Sequence, residues 1–176
     1  MKKISTSSPI HILDIALAVV VRLARNSEGK ICFDQAPMLW MHRRTEEGPL
    51  DGFLEFPGGK VEVGESYLEA SVRELSEENQ VLLTFEQQKG ARPLGLFIHT
   101  YEDRKVHLNP IRFFWKDGPW PGKGGDWYPL WIEGATLNPE LLKHSLAGNR
   151  AIFEAIHLEI KELKFISQQE SMECFL

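Results

Sequence analysis

The 176-residue sequence predicts an α+β fold in which one mixed β-sheet is flanked by helices. Three observations carry that prediction. Residues 15–23 are apolar on both alternating sides, with Ile15, Leu17, Val19, Val21 and Leu23 on one and Ala16, Ala18 and Val20 on the other; a strand of that kind is buried inside a sheet. Residues 94–101 and 106–115 alternate as two antiparallel strands joined by Glu102-Asp103-Arg104-Lys105. Helices are signalled after Ser66 and over residues 149–164, and strands and helices do not alternate as regular βαβ units.

The remaining elements follow in order. Residues 1–11 are polar, with Ser5-Thr6-Ser7-Ser8-Pro9, and are expected to form a flexible lead-in to a single domain over residues 12–164, with residues 165–176 as a tail. After the first strand comes a turn at Asn26-Ser27-Glu28-Gly29, a second strand over 38–43, and a loop at Glu46-Glu47-Gly48-Pro49. Ser66-Tyr67-Leu68-Glu69 has capping-box spacing, which starts a helix whose buried stripe is Leu68, Val72 and Leu75. Pro110 removes a donor from the 106–115 strand, so an edge or a bulge is expected there. Residues 120–125 read as a Pro/Gly loop and 127–131 as a short strand. The last helix carries Ile152, Ile156, Ile160 and Leu163 at helical spacing.

Composition bounds the function. Hydrophobic residues at 43% and charged residues at 26% fit a globular domain with a real core. The net charge of −5 weighs against a long nucleic-acid interface, so no stable nucleic-acid partner is expected. Cys32 and Cys174 supply neither a disulfide framework nor a metal motif, which suits a reducing, cytoplasmic setting. Lys2 and Lys3 precede an apolar stretch, but the uninterrupted run Ile15-Ala16-Leu17-Ala18-Val19-Val20-Val21 lies between Asp14 and Arg22 with no small-residue cleavage pattern after it. It falls far short of the roughly 20 apolar residues of a membrane span, and no membrane association is expected.

The chemistry concentrates after Glu55. On the helix that follows Ser66, Glu74, Glu77 and Glu78 stand at i, i+3 and i+4 and cover an arc of about 100°. Ala70, one turn earlier, leaves that arc unobstructed. Like charges so placed cost a few tenths of a kcal/mol per pair, and a plain solvated acidic face is the alternative reading. Arg73 directly precedes the cluster, and Glu55-Phe56-Pro57-Gly58-Gly59-Lys60 lies upstream as a loop where backbone can approach a ligand. Clustered carboxylates suit a hard divalent cation, which takes oxygen ligands and bridges to phosphates. Such an ion explains how an acidic protein binds an anionic substrate.

Gly59, five residues, Glu65, seven residues, Arg73-Glu74-Leu75, one residue, then Glu77-Glu78 resembles the Nudix box, the signature of hydrolases of nucleoside diphosphates linked to another moiety. The resemblance implies a Nudix-type α/β/α sandwich and a Mg²⁺-dependent enzyme, with Mn²⁺ as a substitute. It implies that Glu74 binds metal and activates water, that Glu77, Glu78 and the Gly59 carbonyl complete the metal site, that Arg73 holds a carboxylate in place, and that Gly58 and Glu65 support the loop–helix junction. One position departs. The family has glycine where this chain has Gln80, at a helix end that wants a left-handed cap. Asn79 suits that conformation next best, so the helix end is expected to shift by one residue.

The chain from about Ile15 to Leu163 looks like the MutT-type branch, which hydrolyses 8-oxo-dGTP to the monophosphate and pyrophosphate and so cleans the nucleotide pool. Leu54-Glu55-Phe56-Pro57-Gly58-Gly59-Lys60 resembles that branch's lead into the box, and His42-Arg43-Arg44 its strand ending in paired arginines. Tyr101-Glu102-Asp103-Arg104, Pro119-Trp120 and Gly125-Asp126-Trp127 match later landmarks, and Ala147-Gly148-Asn149 stands where that branch reads the base. The resemblance thus implies substrate contacts from Arg44, Phe56, Lys60, Asp103, Arg104 and Asn149. Asp126 stands where the branch has glutamate, one methylene longer, as a distant metal carboxylate. Each assignment has a plainer rival: Arg44 as a solvated strand end, Phe56 as core, Asp103 and Arg104 as a hairpin turn, Asn149 as a helix cap. Alternative functions are a Nudix pyrophosphatase of ADP-ribose or a nucleoside diphosphate sugar, or a non-catalytic nucleotide sensor. Extra segments and dimerisation generally accompany the former, and a monomer is expected here.

Overall fold

In the computed structural model, which describes residues 11–101, 104–116, 118–132 and 136–173, strand β1 (His11–Arg22) is the spine of the sheet. The remaining strands are β2 (Met38–Arg43), β3 (Leu54–Glu55), β4 (Gly58–Lys60), β5 (Arg92–Pro93), β6 (Phe97–Thr100), β7 (Arg104–Trp115), β8 (Gly125–Pro129), β9 (Trp131–Ile132) and β10 (Thr136–Leu137). The helices are α1 (Tyr67–Asn79), α2 (Phe85–Lys89), α3 (Pro139–His144) and α4 (Asn149–Glu173). β1 pairs in parallel with β7 along its whole length, from His11 with Arg104 to Arg22 with Trp115. Its other edge is divided: Val21 and Arg22 pair with Leu39 and Met38 of β2, whereas Ile15, Ala16 and Leu17 pair with β4. β2 takes β3 at His42 and Arg43 and carries β8 on its far edge. β1 and β2 therefore part company, and residues 54–60 fill the gap as a wedge, pinned by the Ala18 amide donating to the Pro57 carbonyl at 2.8 Å.

The two apolar sides of β1 meet two cores, as the alternation requires. Leu17, Val19 and Val21 pack with Phe56, Ile152, Phe153 and Ile156 beneath α4. Ala18 and Val20 pack with Trp40, Leu75, Val81 and Phe113 beneath α1. The sheet lies between helices, the α+β sandwich expected. Among the described residues no helix is long and apolar enough to cross a membrane.

Pro110 sits within a central strand, and the bulge is on its partner. Phe97 pairs with Leu108 and Pro93 with Ile111, so β5 and β6 spend one more residue than β7 over the same span. The Pro110 carbonyl still accepts from the Leu94 amide at 3.0 Å, and the missing proline donor falls where the antiparallel partner is interrupted. Several boundaries differ from expectation, among them the start of β1, at His11 and not Ile15, and that of β7, at Arg104 and not Val106. The strand expected over 94–101 shrinks to Phe97–Thr100, and that over 127–131 breaks at Leu130 into β8 and β9. α4 continues to Glu173, nine residues past Lys164. Its core contacts end near Leu163, beyond which Phe165 is 61% exposed; no apolar period announces that extension, which strong helix formers such as Lys164, Gln168 and Gln169 sustain.

α1 starts with the capping box foreseen, Ser66 Oγ accepting from the Glu69 amide and the Glu69 carboxylate accepting from the Ser66 amide. Its end does not shift. Gln80 itself adopts the left-handed cap, with φ 59°, because Asn79 is fully buried and its Nδ2 donates to the Lys123 carbonyl at 2.8 Å. A side chain in that conformation costs roughly 1–2 kcal/mol, partly offset by the unfolded-state entropy that glycine would add. Gln80→Gly is thus expected to raise unfolding free energy by about 0.5–1 kcal/mol. Equilibrium urea unfolding checks this, and a loss of stability would show that the Gln80 side chain contributes contacts of its own.

Candidate active site

The wedge brings α1 and the sheet to one place, and two missing side chains make that possible. A Cβ on Gly58 would lie 2.6 Å from the Leu17 side chain, and one on Gly59 would lie 2.5 Å from the Glu74 carboxyl carbon. Neither position tolerates a larger residue without movement. Ala70 is fully buried, so its small side chain serves the seating of α1 and does not leave the acidic arc open as expected.

Arg73 organises the carboxylates. Its Nε and Nη2 fork onto the two oxygens of Glu65 at 2.9 and 3.0 Å, Nη1 donates to Glu74 at 2.6 Å and Glu77 at 3.3 Å, and Nη2 also donates to the Lys60 carbonyl at 3.1 Å. Hydrogen bonds from Arg73, then from the Glu62 amide, hold the Glu65 carboxyl below its ordinary value. Those to Glu65 and Glu74 raise the guanidinium in turn. Glu78 faces the other way, its carboxylate accepting from the Gly58 amide at 2.9 Å with His42 Nδ1 at 4.0 Å. Burial pushes the Glu78 carboxyl up, and the charges of Glu74 and Glu55 push the same way, against His42 and the Gly58 amide.

Beside Gly58 and Gly59 opens a cleft of about 420 Å³. It gathers Arg44, Phe56, Gly58, Gly59, Lys60, Arg104 and Asn149, all singled out in the sequence, from four separate stretches of chain. Phe56 is mostly core, 1% exposed and 5.7 Å from the Phe153 ring centroid, and reaches the cleft only as part of its floor. Arg104 lies over the Tyr101 ring at 5.2 Å. Asn149 opens α4, is buried, and donates from Nδ2 to the Leu54 carbonyl at 3.3 Å. One residue is not brought in. Asp126 lies across from Met41 on β8, with its carboxylate accepting from the Trp127 amide at 2.7 Å. Asp103 lies outside the described residues.

The structure also adds residues the sequence did not single out. Glu55 receives Arg44 Nη1 at 3.0 Å and has His42 Nε2 at 3.4 Å, and Arg44 is further paired with Glu46. Burial pushes the Glu55 carboxyl up, but His42 and Arg44 together outweigh it and the net shift is downward. Burial likewise opposes the Arg44 charge, and Glu55 more than restores it. His99 and Tyr101 line the cleft as an edge-to-face pair 4.6 Å apart. The signal for Glu55 was a charge between Leu54 and Phe56, both inward-facing; its cross-strand partner His42 appears only with the register.

The donor chemistry fits a hard divalent cation. Burial and, to a lesser degree, the carboxylates of Glu74 and Glu55 oppose the ionisation of Glu78, and a cation placed among them would offset these costs. Among the described residues no three His, Cys, Asp or Glu side chains already converge as ligands. A cation would draw Glu77 from Arg73 and Glu78 from the Gly58 amide.

Comparison with known proteins agrees with this geometry. The family model described as NUDIX domain matches residues 31–140. An 8-oxo-dGTP diphosphatase of Escherichia coli (strain K12) is 30% identical over 125 residues, covering 65% of this chain and 81% of its own length. The crystal structure of a MutT protein from Methanosarcina mazei Go1 superposes with a TM-score of 0.57 at 20% identity, covering 87% of this chain and 98% of that one. The NUDIX domain of Shewanella oneidensis NrtR, complexed with ADP ribose, gives 0.59 at 15% identity over 91% and 99%. The two structural likenesses establish the fold alone.

The strain at Glu78 has a stability consequence with a definite sign. Its folded carboxyl is held above 4.5, so the folded state binds that proton more tightly than the unfolded state. This contribution is present in acid below 4.5 and is lost as pH rises through the folded value. Glu78→Gln, which keeps an acceptor for the Gly58 amide, is expected to raise Tm at neutral pH and to change it little in acid. Thermal melts across that pH range check it, and a variant less stable at neutral pH would mean that the carboxylate is not under strain.

Proposed function

Since the chain belongs to the Nudix family of hydrolases, we propose that it cleaves a nucleoside triphosphate to the monophosphate and pyrophosphate, with oxidised dGTP as its substrate. The observation that carries this reading is the orientation of Asn149. The Leu54 carbonyl accepts from Nδ2, which fixes the amide and leaves Oδ1, an acceptor, for a ligand in the cleft. Oxidation of guanine at C8 replaces the N7 acceptor with an N7–H donor. An acceptor at that spot favours the damaged base and repels the lone pair of the normal one.

The phosphates belong at the other end of the cleft, by Gly58, Gly59 and Lys60. Glu74, Glu77, Glu78 and the Gly59 carbonyl would hold Mg²⁺, or Mn²⁺ in its place, which neutralises pyrophosphate charge and lowers the pKa of a bound water. Glu74 is 13% exposed and locked by Arg73, so it stands ready as a proton acceptor for the attacking water. Glu65 holds Arg73, and through it the position of Glu74. Arg44, kept charged by Glu55, and Arg104 on Tyr101 frame the nucleoside. The reading extends to action as a monomer on a diffusing nucleotide in the cytoplasm. Asp126 is left as a secondary carboxylate acting at a distance.

A second reading, hydrolysis of ADP-ribose, is favoured by the ADP ribose complex of a domain with the same fold. One panel separates the two: 8-oxo-dGTP, dGTP and ADP-ribose at saturating Mg²⁺. Sites built on such a hydrogen bond discriminate by up to about 10⁴-fold, and shape alone by about 10–200-fold. kcat/KM for 8-oxo-dGTP is expected to exceed that for dGTP by more than about 10², mostly through KM. Equal values remove the pool-cleaning role, and preferred turnover of ADP-ribose installs the second reading. Asn149→Ala is expected to cost about 1–3 kcal/mol of binding, more for 8-oxo-dGTP than for a pyrimidine triphosphate. A uniform loss with a lowered Tm would make Asn149 purely structural. Glu78→Gln, or excess chelator, is expected to cut turnover by orders of magnitude, and full activity in chelator overturns the metal-dependent mechanism.

A further inference from the structure

A second recess lies at the opposite end of β1 and β7. Leu17 lines the catalytic cleft and Arg22 lines this recess, five residues or about 16 Å further along β1. It is an open groove of about 660 Å³, walled by Arg22, Arg25 and Lys116 over a floor that includes Trp115, Met38 and Ala36. Among the described residues that line it there is no aspartate or glutamate. Three cations with no carboxylate among the described lining residues are a local reversal of sign on a protein of net charge −5.

The two arginines are held by neutral partners. The Arg22 guanidinium lies 4.3 Å from the Trp127 ring centroid, and Arg25 donates to the Gly29 carbonyl at 2.5 Å. An arginine fixed by a ring or a carbonyl keeps its full charge and has already lost much of its side-chain freedom, so an anion meets a prepared donor. Trp115 is itself fixed, edge-on to Trp120 at 4.9 Å and with its indole N–H donating to the Gly118 carbonyl at 3.2 Å. Its position beside the cations offers a rigid apolar surface to a ring attached to the anion. The volume falls within the roughly 300–1,000 Å³ of small-molecule sites, and favours a single small ligand over a strand or a peptide.

We propose that this groove is a second, non-catalytic site for a nucleoside phosphate, with the phosphate on Arg22, Arg25 and Lys116 and the base against Trp115. The proposal does not depend on which substrate the catalytic cleft turns over. The test uses the full chain in chelator, with dGMP as probe, read by equilibrium dialysis and tryptophan fluorescence. Saturable binding is expected, with quenching that Trp115→Phe diminishes. The double charge reversal Arg25→Glu/Lys116→Glu is expected to weaken dGMP at least tenfold, whereas Asn149→Ala in the cleft leaves it within twofold. Should the reversal fail to fold, as a melt would show, Arg25→Gln/Lys116→Gln is expected to weaken it at least threefold. Mg²⁺-dependent turnover in the groove variants is expected to stay unchanged at low substrate. The proposal is overturned by absence of saturable binding, by binding lost in Asn149→Ala and kept in the groove variants, by pyrophosphate binding as tightly as dGMP, or by a short oligothymidylate binding more than tenfold tighter, which would make the groove a nucleic-acid contact.

Discussion

Everything at this site depends on how closely the backbone at Gly58 and Gly59 is approached from two sides. β1 presses on one glycine and the carboxylate of Glu74 on the other, and a Cβ at either would sit well inside normal contact distance. The approach requires β1 and β2 to separate, since β4 occupies the edge of β1 that β2 leaves. With the wedge in place, the Gly58 amide is free to meet Glu78 and the Lys60 carbonyl to meet Arg73. Loop, sheet and helix are thus registered in part by backbone groups. Overpacking at such a contact costs about 1–3 kcal/mol, comparable to a large share of a domain's stability.

Electrostatics decides what the wedge presents. Three glutamates on adjacent turns of α1 oppose one another by a few tenths of a kcal/mol per pair, whereas charge-assisted hydrogen bonds from one shared guanidinium offset that repulsion. Arg73 makes such bonds to Glu65, Glu74 and Glu77, and so it prevails. Glu78 is the one member it does not reach, and Glu78 is the carboxyl that burial and its neighbours push up. The strain is therefore confined to one residue that points toward the glycine loop. A cation there would relieve it, so stability is surrendered where ligand affinity is gained.

The fold was legible wherever one local rule acted alone. β1 declared itself through two apolar faces, and both faces found a core. The capping box at Ser66 declared α1, and the helix carries Glu74, Glu77 and Glu78 as the spacing required. Reading failed where a distant contact overrode a local preference. Asn79 prefers the left-handed cap, but burial against the 120s loop claimed it, and Gln80 took the strained conformation. Pro110 disfavours a central strand, but a one-residue bulge across the ladder accommodates it. Ala70, read as leaving the acidic arc unobstructed, is itself fully buried. The cleft drew residues from stretches far apart in the chain, and Glu55 joined it through the cross-strand pair with His42, which no spacing in one sequence reveals.

Asn149 shows why a helix-cap reading and a base-reading role do not exclude each other. Its Nδ2 bonds the Leu54 carbonyl, and Leu54 begins the wedge. The Leu54 carbonyl also accepts from the Leu146 amide at 3.1 Å, in the turn that leads into α4. One side-chain amide thus ties the start of the wedge to the start of the last helix. An alanine there would remove a structural tie and a ligand contact together, and affinity and folding would fall in the same variant. Aspartate keeps an acceptor but sets two carboxylate oxygens against the Leu54 carbonyl, so it probes the tie. Serine is too short to span the distance from α4 to β3 and the cleft at once, so it probes the reach. On the proposed base-reading role, this tie would couple recognition of the base to the integrity of the wedge, and through the wedge to the placement of the carboxylates on α1.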